Sequence, residues 1–318
     1  MTAPLPTSTN GAITVLAGGI GAARFLAGLL ATVEAERVTA IYNVGDDFEW
    51  HGLHVSPDID SITYTLAGVQ GALGWGIEGD TFVTLEALRD LGGDAWFNIG
   101  DRDLATHLRR TALLRGGATL AEATSELARA RGLRLTMLPV TNDPHPTVVV
   151  TDEGELDFQV YFVQRRAADA VRAVRFPRAA VARPAPGVIE ALRDAEVLVI
   201  APSNPLVSID PLLAVPGVRQ AIEASSARRV AISPIIGGAA VKGPAAGMLR
   251  SMGHEVSAFG VARIYRDLID VFVLDEVDRA LAPAVEALGL AVVVTDTMMT
   301  PPERGHALAA TVLEAARA

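Results

Sequence analysis

Three features of this sequence predict an α/β fold: a doubly wound, Rossmann-like parallel sheet with a helical cap and a small inserted antiparallel sheet. A strand-sized apolar run, Ala12 to Ala17, ends in the glycine turn Ala17-Gly18-Gly19-Ile20-Gly21 and leads into a helical pattern. A second run, Val38 to Tyr42, opens into the acidic loop Asn43 to Asp60. Further apolar runs alternate with helical stretches through the second half of the chain. This β–turn–α–β opening places ligands at the carboxyl ends of the strands.

Each element follows from its own pattern. The first helix is expected from about Gly21 to Val33. From Ser61 to Leu133 apolar residues recur at helical spacing, in Ile62–Leu66, Thr84–Leu91, Asp103–Leu114 and Leu120–Arg131. That run exceeds what one crossover needs and reads as a cap (61–133) over the sheet edge. Thr147–Val150, Phe158–Val163 and Val171–Phe176 alternate or run apolar around an Asp152-Glu153-Gly154 turn, which predicts a small β subdomain at 141–184. Strands at Val197–Ala201, Arg229–Ser233, Val271–Leu274 and Ala291–Val294 then alternate with helices at Val188–Arg193, Pro211–Ser226, Ala245–Met252 and Pro283–Leu288. The expected core is therefore 1–140 together with 185–318.

Composition narrows the function. Half of the 318 residues are hydrophobic, and the formal charge of −10 speaks against a nucleic-acid footprint. There is no cysteine, which excludes thiolate nucleophiles, thiolate metal sites and disulfides. The Pro/Thr-rich stretch Met1 to Asn10 does not read as a secretory signal, and the apolar runs are too short to span a bilayer, so the expectation is cytoplasmic with no membrane partner.

Several constellations can carry chemistry, among them Ile232 to Gly238 with Lys242 and Gly243 behind it. Gly18, Gly19 and Gly21 allow close backbone approach to a phosphate at a helix N-terminus. Arg24 stands where a dinucleotide fingerprint wants a third small residue, and no Gly-Lys-Ser/Thr follows. The acidic loop gathers Asp46, Asp47, Glu49, Asp58 and Asp60. One ribose needs a single carboxylate, so this excess favours a hard cation over a nicotinamide cofactor, although the latter stays open. Asp47 and Asp60 are far enough apart for the loop to fold back and bring both to one Mg2+, whereas Asp58 reads as a helix cap. Ala201-Pro202-Ser203-Asn204-Pro205 offers donors at a strand end, or is a plain proline-bounded turn. Asp101 or Asp103 can cap a helix in Gly100-Asp101-Arg102-Asp103, with Arg102 free to face a phosphate. The histidines lack metal-ligand spacing.

Together these segments, with Trp75-Gly76-Ile77-Glu78-Gly79-Asp80-Thr81-Phe82, Ile99 to His107, Ala201 to Asp210, Ser233 to Met248, Phe259 to Ala262 and Asp275 to Asp278, resemble the 2-phospho-L-lactate transferase (CofD) family. The resemblance runs in order over nearly the whole chain. It implies a step of coenzyme F-420 biosynthesis that joins the deazaflavin Fo to the 2-phospholactyl or phosphoenolpyruvyl half of a guanosine diphosphate diester, releasing GMP. It implies Mg2+ on Asp47 and Asp60 as metal-site and catalytic acids. The guanylyl site falls at Gly18, Gly19, Gly21, Asn43, Ser203 and Asn204, and Fo contacts fall at Asp60, Asn98 and Asp101. The Asn98 position is often Lys in the family, and Asn stands there in this chain. Relatives of this kind resemble homodimers. A YvcK-like nucleotide-sugar-binding regulator shares the glycine turn and the acidic loop. The Trp75–Phe82 and Gly100–Asp103 runs favour the transferase.

Overall fold

The computed structural model describes residues 11–72 and 74–317; the stretch 1–10, on which the signal-peptide expectation rests, lies outside them. Seven parallel strands form the central sheet. In chain order they are β1 (Ile13–Ala17), β2 (Val38–Tyr42), β5 (Thr136–Pro139), β9 (Val197–Ile200), β10 (Arg228–Ile232), β13 (Val271–Asp275) and β14 (Ala291–Thr295), arranged β14-β13-β10-β9-β1-β2-β5. The inner strands are predominantly apolar, and every residue of β1, β9 and β13 is buried, as a parallel sheet covered on both faces requires. The chain winds outward from β1 through β2 to β5, then restarts at β9 and winds the other way. The switch point therefore falls between β1 and β9, the usual ligand crevice of such sheets.

Helix α1 (Gly19–Leu30) follows the glycine turn and packs against α2 (Pro57–Leu66) and the C-terminal α12 (Pro302–Ala315). Between β2 and α2 the acidic loop forms a small hairpin, β3 (Phe48–Trp50) with β4 (Leu53–Val55). The cap is helical, as expected: α2 leads into α3 (Val83–Asp90), α4 (Asp101–Arg115) and α5 (Leu120–Ala130). Thr119 and Glu122 close a reciprocal capping box at the start of α5. Phe48, Trp50, Trp96 and Phe97 form an aromatic cluster that joins the hairpin to the cap.

The inserted antiparallel sheet has the order β7-β6-β8, with β6 (Val148–Thr151), β7 (Gly154–Asp157) and β8 (Val171–Arg175). The expected strand over Phe158–Val163 is instead a π-helical turn, Val160–Gln164, and the hairpin partner of β6 is the segment just before it. Periodicity cannot separate strand from helix in so short an apolar run. The helix expected over Pro211–Ser226 is two, α7 (Asp210–Ala214) and α8 (Val218–Glu223), parted around Gly217 at φ 89°. Helices α6 (Val188–Arg193), α9 (Ala245–Ser251), α10 (Ala258–Tyr265) and α11 (Ala282–Glu286) complete the layers, with a two-residue hairpin, β11 (Ile235–Ile236) and β12 (Ala239–Ala240), after β10. Among the described residues no helix is long and apolar enough to cross a membrane.

Candidate active site

One large cleft, about 630 Å³, opens at the switch point. Its floor is the glycine turn and the Pro202-Ser203-Asn204 loop. One wall is the acidic loop and the cap (Asp46, Asp58, Asp60, Trp75, Phe97, Asn98), and the other comes from the β10 and β14 ends (Ser233, Lys242, Met298).

The glycines are needed for backbone geometry. Gly19 sits at φ 72°, in the left-handed region. A Cβ on Gly21 would stand 2.1 Å from the Pro202 carbonyl oxygen, so only glycine lets α1 start this close to the β9 loop. Ser203 locks the same junction by donating to the Gly18 carbonyl at 2.8 Å. Asn204 caps the next turn, its Oδ1 accepting from Leu206 N–H at 3.0 Å. α1 has no acidic residue in its own first turn and no side-chain bond at its N-cap; the Asp58 carboxylate takes the Gly19 N–H, which leaves the following N–H groups of the turn to meet an anion.

The acidic wall is tightly organised. Asn43 is buried and its amide donates to Asp58 at 2.9 Å, Asp46 at 3.3 Å and the Val207 carbonyl at 3.2 Å. It holds two carboxylates side by side and does not itself line the cleft, so its expected nucleotide contact becomes a bracing role. Asp58 does not cap α2: its carboxylate crosses to Asn43 and to the Gly19 N–H. Burial pushes Asp58 up to about 6, and Asn43 and Gly19 offset part of that rise. Burial and then the Asp58 and Asp47 charges push Asp46 well above the usual carboxylate range.

Asp47 and Asp60, expected to share a metal, are engaged separately. Asp47 lies behind the cleft wall, accepting from Ser56 at 2.8 Å and facing His54 Nε2 at 3.1 Å. Burial raises its pKa despite both contacts. Asp60 lines the cleft, but both of its oxygens meet the guanidinium of buried Arg110. Among the described residues no three His, Cys, Asp or Glu side chains form a ready metal cage. That still suits Mg2+, which takes one or two carboxylates and completes its shell with water and phosphate oxygens. The carboxylates that fit are those of Asp46 and Asp58 at the cleft wall; Asp47 Oδ1, buried without a partner, lies behind them.

Of the two further residues expected at Fo, Asn98 lines the cleft and Asp101 does not. Asp101 caps α3, accepting from Val83 N–H and Thr84 N–H at 3.0 Å each and from the Thr81 hydroxyl, contacts that hold its pKa low. Arg102 turns away from the cleft to the Glu78 carbonyl at 2.7 Å.

Sequence reasoning passed over His107, which the fold brings into the site. Asp103, His107 and Arg110 share one buried face of α4. Asp103 accepts from Tyr64 at 2.6 Å and lies 3.3 Å from His107 Nε2, while His107 Nδ1 is 3.6 Å from Asp60. The signal was present as polar residues at helical spacing, but it names a buried face only once the cap is placed. Phe158, Gln159 and Phe162 also enter the cleft from the inserted segment. The two rings stack 5.6 Å apart at 13°, and Gln159 donates to Asp46 at 3.2 Å.

The sequence profile described as 2-phospho-L-lactate transferase CofD matches residues 13–310. A 2-phospho-L-lactate transferase of Methanothermobacter thermautotrophicus is 40% identical over 90% of this chain and 92% of its own length. A phosphoenolpyruvate transferase of Kitasatospora aureofaciens is 43% identical over 95% of this chain and 96% of its own. Among solved structures, a UPF0052-family protein of Bacillus halodurans superposes with a TM-score of 0.63 at 18% identity, covering 96% of this chain and 99% of its own; that likeness concerns the fold alone. By profile and by relatives of this identity and coverage, the chain belongs to the 2-phospho-L-lactate transferase (CofD) family and is a transferase.

Proposed function

We propose that this protein carries out a step of coenzyme F-420 biosynthesis. It would transfer a 2-phospholactyl or phosphoenolpyruvyl group from a guanosine diphosphate diester to the ribityl hydroxyl of Fo, with release of GMP and dependence on Mg2+. The observation that carries this reading is a single cleft joining an anion-ready helix end, a carboxylate wall and aromatic rings. The names of the relatives supply the three-carbon group.

The chemistry asks for position and charge control. The Fo hydroxyl oxygen forms a bond to the phosphorus bearing the three-carbon group, the bridging P–O bond breaks, GMP leaves with that oxygen, and the hydroxyl proton passes to the carboxylate wall or to water. The glycine turn and the α1 N–H groups hold phosphate oxygens. Trp75 and Phe97 on the cap, with Phe158 and Phe162 on the insert, give a tricyclic ring apolar faces. Asn98 and Asp60 offer polar contacts at its edge. Mg2+, held by Asp46 and Asp58 with Asp47 behind them, would neutralise charge on the transferring phosphoryl oxygens. The Asp60–Arg110 pair keeps its carboxylate fixed beside that charge.

Incubation with Fo, Mg2+ and each guanylylated donor, followed by mass analysis, is expected to give GMP and a phosphodiester of Fo. GMP-free reaction mixtures with every donor would refute the assignment.

A further inference from the structure

Of the 27 lysine and arginine residues in the chain only one is lysine, Lys242, and it stands on the rim of the cleft. It lies in the exposed segment that leads from the β11–β12 hairpin into α9. Left-handed backbone at Gly237 (φ 58°) and Gly238 (φ 76°) makes the hairpin turn, and Gly243 (φ 76°) gives the segment itself a joint that costs glycine little. Its root is tied down by Gly237 N–H, which donates to Asp278 at 3.0 Å.

The ammonium lies near the cap loop and the Ile20 side chain of α1. The point where a Cβ would stand on Gly74 is 3.1 Å from Ile20 Cδ1 and 3.3 Å from Lys242 Nζ. Ile20 is in the first turn of α1, and Gly74 is in the cap loop that carries Trp75. Lys242 therefore sits where the phosphate floor, the cap and the β10 wall meet. Arg24 is the other lysine or arginine that lines the cleft, and among the described residues neither makes an ion pair. Asp46, Asp58 and Asp60 line the same cleft. A diphosphate entering it meets three carboxylates and these two cations, which have no ion-pair partner among the described residues.

Resting on the reading above, we propose that Lys242 grips the donor diphosphate, its glycine-jointed segment folding over the bound nucleotide, and meets the charge that builds on the departing GMP phosphate. A lysine suits this place: its ammonium is a compact point charge on a flexible stem, able to follow an oxygen as the bridging bond breaks.

The single lysine makes the test direct. Reductive methylation with 13C-formaldehyde labels Lys242 and the α-amino group, and the Lys242→Ala variant identifies the Lys242 signal by removing it. GDP with Mg2+ is expected to shift the Lys242 methyl signal and leave the α-amino signal in place, whereas Fo alone shifts neither. Lys242→Ala is expected to weaken GDP binding about tenfold and to lower turnover roughly 100-fold, the range for loss of one preorganised charge donor. Lys242→Arg should recover most of the affinity and less of the turnover. If the native protein binds GDP but its Lys242 signal does not move, and Lys242→Ala keeps its affinity and turnover, the Lys242 assignment fails alone. If the native protein binds no GDP, the nucleotide reading fails and this assignment falls with it.

Discussion

Both oxygens of Asp60 are held by Arg110, and that contact fixes what each residue can do. Arg110 is 1% exposed and Asp60 5%. Two charges this deep have given up most of their hydration, and their attraction roughly offsets that loss. The pair is therefore not a large net source of stability, but either partner left alone is expensive. Arg110→Gln is expected to cost about 3–5 kcal/mol, as for a buried pair broken on one side. Urea unfolding at neutral pH measures it, and a loss under about 1 kcal/mol would show that Asp60 reaches solvent or another cation. The same reasoning explains why the Asp47–Asp60 pairing read from the loop gave way. The spacing shows that two carboxylates can meet, but not that Arg110, fifty residues on, takes one of them. Asn43 has the same lesson: as a polar residue at a strand end it reads as a ligand contact, and its bonds to Asp46, Asp58 and Val207 make it a brace.

Among the elements, α1 does two jobs, presenting its N-terminus to the cleft and packing its length against α12. That packing runs through Gly28, where a Cβ would stand 2.4 Å from the Gly305 carbonyl oxygen. The obstacle is backbone, so neither side can yield by a rotamer change. Gly28→Ala is expected to destabilise the protein by about 1–3 kcal/mol, the usual cost of overpacking, even though alanine is the better helix former. Thermal unfolding checks this, and an unchanged or raised midpoint would mean that α12 shifts freely. Elements of this kind were legible where one pattern dominated. The apolar runs of β1, β2, β9, β10, β13 and β14 and the helices of the cap follow directly from periodicity. Strand β5 was missed because it is an edge strand ending in Pro139, with an exposed first residue. Helix α12 was missed because Pro301-Pro302 reads as a breaker, when proline also suits a first turn. In the site, the glycine turn, Ser203, Asn204, Asn98 and Asp60 were legible as cleft residues. His107 and Gln159 were not, because each gains its place only when the cap or the insert folds over the sheet.

Over the whole molecule the charge is uneven as well as negative. Several of the 37 acidic residues crowd one cleft wall in a protein of net charge −10, and this crowding makes stability depend on pH. Asp58 ordinarily titrates at 3.8 and is pushed up to about 6, chiefly by burial, while Asp46 rises well above the same value. For a carboxyl raised in this way the folded state prefers the neutral form. Its stabilising contribution is complete below the unfolded value and is lost as pH rises through the folded one. Carboxylates held low, such as Asp270 beside Arg229 and Asp296 beside Arg304, finish titrating below this window. His145, lowered by burial, acts in the opposite sense and sets a background that a matched variant removes. Without divalent cations the thermal midpoint of the native protein is therefore expected to fall relative to Asp58→Asn between about pH 5 and pH 8, by an amount on the order of 1–1.5 kcal/mol in stability. Mg2+ with GDP at the upper pH should raise the native protein more than the variant, because a cation relieves a repulsion that the uncharged amide of the variant does not have. Parallel pH curves for the two proteins, or equal gains from Mg2+ and GDP, would mean that Asp58 is already compensated within the fold and takes no part in holding the ion.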